Sequence, residues 1–567
     1  MINREQLEKI LSSKAFAPSE RMRRFLRFAV EQAREGKGEG LKEYRIGLEV
    51  FDKGASFDPR IDPIVRVEAR RLRAKLKRYY EAEGKDDSIR VEFPTGSYAP
   101  VVRERPPGTP PGERTIVVLP FENRSANPED EYFSDGLTDE LIHALTNVVG
   151  LRVVARASAF QLKGKGSDLR EIGEKLGVTA VLEGSVRRSG NRLRVTAQLV
   201  NVGDGCYLWS ETYEREMRDL FAIQDEISRA IVETLRVRLG GPAGPAERRS
   251  ENLEVYHLYL KGRHHWLQRT RHGLEKGIGY YQQAIDRDAG YAPAWAGLAA
   301  SWGMLAGYGI ALPKQTMPRA KQAAMRALEL DPRSAEAETS LAYVLAAYEW
   351  KWEEAGRHYQ RALELNPRDS DTLHWYGYDY LAPLGRLDEA LTALEAALRL
   401  DPLCLILNAS LGSLWLMRRE YGRAIEQFHK TLALDPNFFK AYMGLGRAYL
   451  LQGMYQEAVE SFRKGQALSG GYTSGGLGQA YALAGQRGLA WRMLKRLLEL
   501  SKKTYVQSIA IAMIYVGLGD ADQAFHWLEK ALGDRETPLV YVKTYPAYDP
   551  IREDPRFLAL LRRMGLE

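Results

Sequence analysis

Seven cations lie between Ile64 and Tyr80 of this 567-residue chain: Arg66, Arg70, Arg71, Arg73, Lys75, Lys77 and Arg78. A single carboxylate, Glu68, lies among them. Guanidinium and ammonium groups at this density bind phosphate by displacing its counterions, and an Arg fork can also read a guanine edge. At about 100° per residue, Arg66, Arg70, Arg73 and Lys77 form one stripe of a helix, and Arg71, Lys75 and Arg78 flank the other side of an apolar seam. That seam is Val65, Ala69, Leu72, Leu76 and Tyr79. On this pattern Arg66, Arg70 and Arg73 are candidate base-edge contacts in double-stranded DNA, and Arg71, Lys75, Lys77 and Arg78 candidate phosphate contacts. The bland alternative is a solvated face on a structural domain.

Several elements must hold such a helix in place. Asp62 can cap it, and Pro63 suits its first position. Downstream, Ile89 to Val102 alternates apolar and polar residues and bends at Pro94-Thr95-Gly96, which predicts a β-hairpin. Upstream lie predicted helices over Ser19 to Gly36, with Met22, Phe25, Leu26, Phe28, Ala29 and Ala33 as a core face, and over Leu41 to Phe51. In these residues the chain resembles the DNA-binding domain of OmpR-like and CadC-like transcriptional regulators: a positioning helix, a recognition helix of the form RRLRxKL (Arg70 to Leu76), and a wing ending Thr95-Gly96-Ser97-Tyr98. Ser97 stands where that family's wing has a second glycine. The resemblance implies a winged helix whose recognition helix enters the major groove, with Arg90 and Tyr98 of the wing on the adjacent backbone or minor groove.

Charge is distributed to match. The formal net charge is +7, and residues 1–100 hold 22 Lys and Arg against 17 Asp and Glu, so most of the excess sits at this end. Cys206 and Cys404 are far apart in sequence and lack ligand-like neighbours, so neither a disulfide framework nor a metal site is expected. The start, MINREQLEKILSSK, does not read as a signal peptide, and no run approaches the roughly 18 apolar residues of a membrane span. Where CadC-like regulators carry such a span, this chain has the Pro/Gly linker RERPPGTPPGER. A cytoplasmic protein with no membrane partner is expected.

From Thr115 strands and helices alternate in the order β-α-β-α-β-β-β-α, a small α/β layer closed by a helix over Leu220 to Leu239. The phrases VVLPFENRS, YFSDGLTDELIHAL and VLEGSVRRSGNRLRVTAQLVN are similar to the TolB N-terminal-like domain of bacterial signalling proteins. That resemblance implies an intermediate between input and output.

Beyond a second linker the chain repeats. Ala320, Ala355, Ala390, Ala424, Ala458, Ala490 and Ala524 recur every 32 to 35 residues, and Pro332, Pro367, Pro402 and Pro436 close successive units. This is the tetratricopeptide (TPR) signature. Tyr442, Leu445, Gly446, Tyr449, Ala458 and Phe462 mark its fullest unit. About eight units predict a superhelix whose groove takes a protein or peptide, with a C-terminal helix capping the last one.

No catalytic motif stands out. The KGKGS stretch near Lys163 lacks the glycine and hydroxyl residue of a phosphate loop. His264 and His265 are adjacent, so on a helix they point about 100° apart and cannot chelate together. The glycines from Gly470 to Gly478 follow no strand and mark a repeat boundary. The reading is therefore a multidomain α/β plus all-α chain that is not an enzyme and needs no cofactor. It comprises a winged helix (1–103), a linker (104–114), a TolB-like α/β domain (115–240), a linker (241–251), a TPR α-solenoid (252–536) and a capping segment (537–567). A DNA-binding transcriptional regulator is expected, whose TPR array and TolB-like domain sense or dock a protein or small-molecule partner, with a homodimer or tandem sites supplying specificity. The alternative is a non-catalytic TPR scaffold that does not bind DNA.

Overall fold

The structure is a computed structural model that describes residues 4–34, 41–54, 56–59, 61–81, 83–84, 87, 89–93, 97–104, 114–146, 148, 150–165, 168–216, 252–469 and 475–567, with a few positions between 223 and 234. Two compact units divide it, residues 1–113 and 114–567.

In the first unit, helices α1 (Arg4–Ser12), α2 (Glu20–Arg34), α3 (Glu43–Phe51) and α4 (Ile64–Glu81) precede an antiparallel pair, β1 (Ile89–Glu92) and β2 (Val101–Glu104). The bend expected at Pro94-Thr95-Gly96 lies outside the described residues. Asp62 caps α4 by accepting from the Ile64 amide at 3.1 Å. All five seam residues of α4 are buried, packed with Phe25, Leu26, Ile46, Val50 and Val91. A buried carboxylate staples the ends of the unit together: Asp87 accepts from Tyr79 Oη (2.6 Å), Lys9 Nζ (2.5 Å) and Gln6 Nε2 (2.5 Å). Burial works to raise the Asp87 pKa, but these donors hold it below the usual carboxylate range.

The second unit begins with a mixed sheet. β3 (Arg114–Val118) pairs parallel with β5 (Leu151–Val153) and β6 (Ala180–Ser189), and β6, β7 (Arg192–Asn201) and β8 (Tyr207–Glu216) form an antiparallel meander. A two-residue strand, β4 (Glu122–Asn123), also pairs with β6. Gly184 lies where β6 meets β7, and a Cβ there would stand 2.3 Å from Thr196 O. Helices α5 (Glu131–Thr146), α6 (Arg156–Phe160) and α7 (Leu169–Leu176) complete the layer. Most of the closing helix expected over Leu220 to Leu239 lies outside the described residues; Ile223, Ile227 and Ile231 within it are buried.

The remainder is a TPR solenoid. Among the described residues eight helical pairs follow one another, from Leu253–Trp266 with Arg271–Arg287 to Ser508–Leu518 with Ala521–Gly533. Small residues sit where the paired helices approach: a Cβ on Gly446 would meet the Phe462 ring at 2.8 Å. The α/β layer is bonded into this solenoid. Asp135 of α5 binds Lys163 and His264, Asp139 binds Arg156 and Arg263, and Ser158 donates from its amide to Asp401 at 2.6 Å. Asp401 is also reached by the Ser158 hydroxyl, whose oxygen accepts from the Leu403 amide.

The last segment does more than cap. Arg556 and Arg563 bind Asp522 and Glu529 on the final repeat helix, as a cap would. Residues before and after them, however, reach across the inner face of the array. Thr537 donates to Ala306 O (3.2 Å), Arg535 to Tyr348 O (3.1 Å) and Tyr541 to Asp379 (2.6 Å), while Trp352 donates to Met564 O (2.7 Å).

Candidate nucleic-acid interface

Counting from Arg66 at 100° per residue, the buried seam of α4 is centred near −100°, so the opposite, outward direction is near +80°. Among the residues of α4 whose side chains are described, Ala74 and Val67 fall closest to that direction, with Arg70 on one side and Arg78 and Arg71 on the other. All five are exposed. Val67 is 44% exposed, although it is apolar and sits in a packed domain. Arg70 and Arg78 have no hydrogen-bond or ion-pair partner among the described residues. Arg71 binds Glu68, a buried carboxylate, at 2.7 Å.

The other cations named from sequence hold the unit together. Arg73 is half-buried and donates from Nε to Phe93 O (2.7 Å) and from Nη2 to Ser97 O (3.1 Å), gripping both ends of the hairpin loop. These bonds join the hairpin to α4. Lys75 donates to Ala15 O at 2.7 Å, anchoring α4 to the turn after α1. Arg66 donates to Pro59 O (2.5 Å) and lies 3.4 Å from Glu43. Glu43 in turn accepts from Tyr98 Oη at 2.6 Å, so Tyr98 joins α3 to the hairpin. Burial, then the Glu43 bond, push the Tyr98 phenol up and keep it a donor. Arg90 packs over the Tyr80 ring at 5.4 Å, and Tyr80 Oη accepts from the Val91 amide. The Lys77 side chain lies outside the described residues.

Of the nine residues singled out from sequence, then, Arg70, Arg71 and Arg78 share the outward face with Val67 and Ala74. Arg66, Arg73, Lys75, Arg90 and Tyr98 brace that face. The exposed Val67 carries no charge signal in the sequence. Its place opposite the seam, at 3.6-residue spacing, was the clue.

Residues 112–230, most of the stretch expected to be TolB-like, match instead the family model of the HilA/YgeH-like transcriptional regulator, second domain. Tetratricopeptide repeat models match residues 358–392, 379–437, 418–472 and 509–533. A protein of Rhizobium meliloti (strain 1021) named "Putative adenylate cyclase 3" is 42% identical over 204 residues, covering 35% of this chain and 34% of that one. Transcriptional regulator HilA of Salmonella typhimurium is 24% identical over 308 residues, 53% of this chain and 54% of its own length. The chain thus spans about a third of the first relative and about half of the second. Among solved structures, Pseudomonas aeruginosa PilF is 25% identical over 39% of this chain and 95% of its own, with a TM-score of 0.30.

These matches establish a HilA-like regulator domain and TPR repeats in one chain. They also correct one expectation. A relative 42% identical over 204 residues bears the name of a cyclase, so the inference from motifs that the chain is not an enzyme does not stand. No helix among the described residues is long and apolar enough to cross a membrane.

Proposed function

We propose that this chain is a DNA-binding transcriptional regulator whose first unit is a winged helix, with α4 as the recognition helix and β1 and β2 as the wing. In this reading Val67 and Ala74 let the helix axis approach the base edges, and Val67 packs on a thymine methyl group. Arg70 contacts a base edge, and Arg71 and Arg78 bind the flanking phosphates. Arg73 and the Glu43–Tyr98 pair hold the wing at a fixed distance from the helix. The HilA-like domain and the repeats then carry the signal that governs this output.

The observation that carries the reading is the outward face of α4, where Arg70 and Arg78 have no partner among the described residues and surround a small apolar centre, beside a hairpin tied to the same helix. Solvated helix faces mix their signs. The test is fluorescence anisotropy of the full chain with a labelled DNA duplex at low salt. Arg70→Glu with Arg78→Glu is expected to weaken binding at least 100-fold. Unchanged affinity would refute the assignment.

A second reading, favoured by the 42% match, is that the chain forms a cyclic nucleotide. Incubating the purified protein with ATP and Mg2+ and measuring cyclic AMP tests it directly.

A further inference from the structure

Inside the solenoid, the first helices of successive repeats and the C-terminal segment surround a cavity of about 290 Å³. Its described wall includes three cations, Arg269, Lys440 and Arg447, and one carboxylate, Asp379. Lys440 rests with its ammonium 3.8 Å from the Tyr308 ring, and no carboxylate lies within ion-pair distance of it among the described residues. Among the described residues Arg269 reaches Tyr308 Oη at 3.4 Å and its ion-pair partner Asp371 at a long 3.5 Å, and packs over the Trp266 ring. Asp379, which accepts a hydrogen bond from Tyr541 of the C-terminal segment, offsets one of these three cations and leaves the wall with net positive charge. His374, also on the wall, is pushed down to about 3 by burial and adds no charge near neutrality.

A wall with surplus buried positive charge is costly unless an anion meets it. Aromatic side chains make up much of the remaining lining, which suits a planar apolar body. The helix that supplies Tyr378 and Asp379 switches to π-helical geometry over Tyr376–Leu381, a local widening common at functional sites. The volume is near the lower end of small-molecule sites, about 300 Å³, and too small for a folded or extended peptide. The C-terminal segment, moreover, already covers part of the inner face where a peptide would lie.

We infer that this cavity is a binding site for a small organic anion, a carboxylate or phosphate ester on an aromatic body, with Lys440 and Arg269 as its charge partners. This goes beyond the DNA-binding proposal and stands without it. Because contacts from both ends of the array line the site, its occupant would bridge the first repeats and the C-terminal segment.

The test is isothermal titration of the full chain with 4-hydroxyphenylacetate, phenyl phosphate and the neutral benzyl alcohol. Saturable binding is expected for at least one anion, at least tenfold tighter than for the alcohol, and the two anions separate carboxylate from phosphate recognition. Lys440→Met should weaken that binding at least tenfold, and Lys440→Arg should restore most of it, with circular dichroism unchanged in both. Binding by neither anion, equal binding of the alcohol, or full binding by a folded Lys440→Met variant would overturn the inference.

Discussion

Replacing Arg73 by Met keeps the aliphatic stem and removes both bonds to the hairpin. Those bonds, 2.7 Å to Phe93 O and 3.1 Å to Ser97 O, come from a charged donor that is only half-buried. Hydrogen bonds to charged groups contribute about 1.5 to 3 kcal/mol each when well shielded. Partial exposure lets water replace some of this, so the pair together is worth about 2 to 3 kcal/mol. That loss falls on the hairpin, which is also held by the Val91 amide bond to Tyr80 at 2.8 Å and the Tyr98–Glu43 bond at 2.6 Å. At about 1.4 kcal/mol per decade, local opening of β1 and β2 should become roughly 30- to 150-fold more frequent. Hydrogen–deuterium exchange of the peptide covering residues 89–104 reads this directly, with Arg70→Met as the control. Exchange that is unchanged in the Arg73 variant, or equally faster in the Arg70 variant, would refute the division between bracing and outward-facing arginines.

Two predictions concern the second unit. His374 is buried, and its pKa is lowered from 6.5 to about 3, so the unfolded chain binds a proton here that the folded chain refuses. Folding stability from this group is therefore complete above pH 6.5 and is lost as pH falls towards 3, about 2 kcal/mol by pH 5. Asp379 and Asp401, raised to about 6 by burial, act oppositely: their folded forms hold protons between about 4 and 6, so they favour folding as pH falls. His374→Gln should consequently gain melting temperature relative to the parent on going from pH 7 to pH 5, and parallel profiles would contradict the buried neutral imidazole. Ser158→Ala removes the hydroxyl that donates to Asp401 and accepts from the Leu403 amide, so thermal unfolding should show a loss of about 1 to 3 kcal/mol; an unchanged melting curve would show that this link between α6 and the repeats carries no load.

The parts legible in sequence were those written in local spacing. Val65, Ala69, Leu72, Leu76 and Tyr79 were recognisable as a seam because burial of one helix face repeats every 3.6 residues, and all five are buried. The repeat alanines and prolines announced the solenoid for the same reason. Arg73 and Lys75 could not be separated from Arg70 by spacing. Their partners are carbonyls of Phe93, Ser97 and Ala15, which adjoin α4 only after the hairpin and α1 have packed. The strand β4 and the helix α6 are two and five residues long, too short to show a period. Occupation of the inner face by the C-terminal segment was hidden for a related reason: Thr537 meets Ala306, and Met564 meets Trp352, across more than 200 residues. The sequence shows no nucleophile or metal motif in line, but active sites are assembled in space from distant residues, so this carries no weight against catalysis.

DNA recognition by the outward face of α4 is read most directly from the salt dependence of DNA binding by the full chain. Each phosphate contact contributes about 0.9 to the slope of log K against log salt. Arg71→Ala with Arg78→Ala is expected to make that slope shallower by about 2 while Arg194→Ala, on the exposed side of β7, leaves it alone. An identical slope in the double variant and the parent would contradict the account.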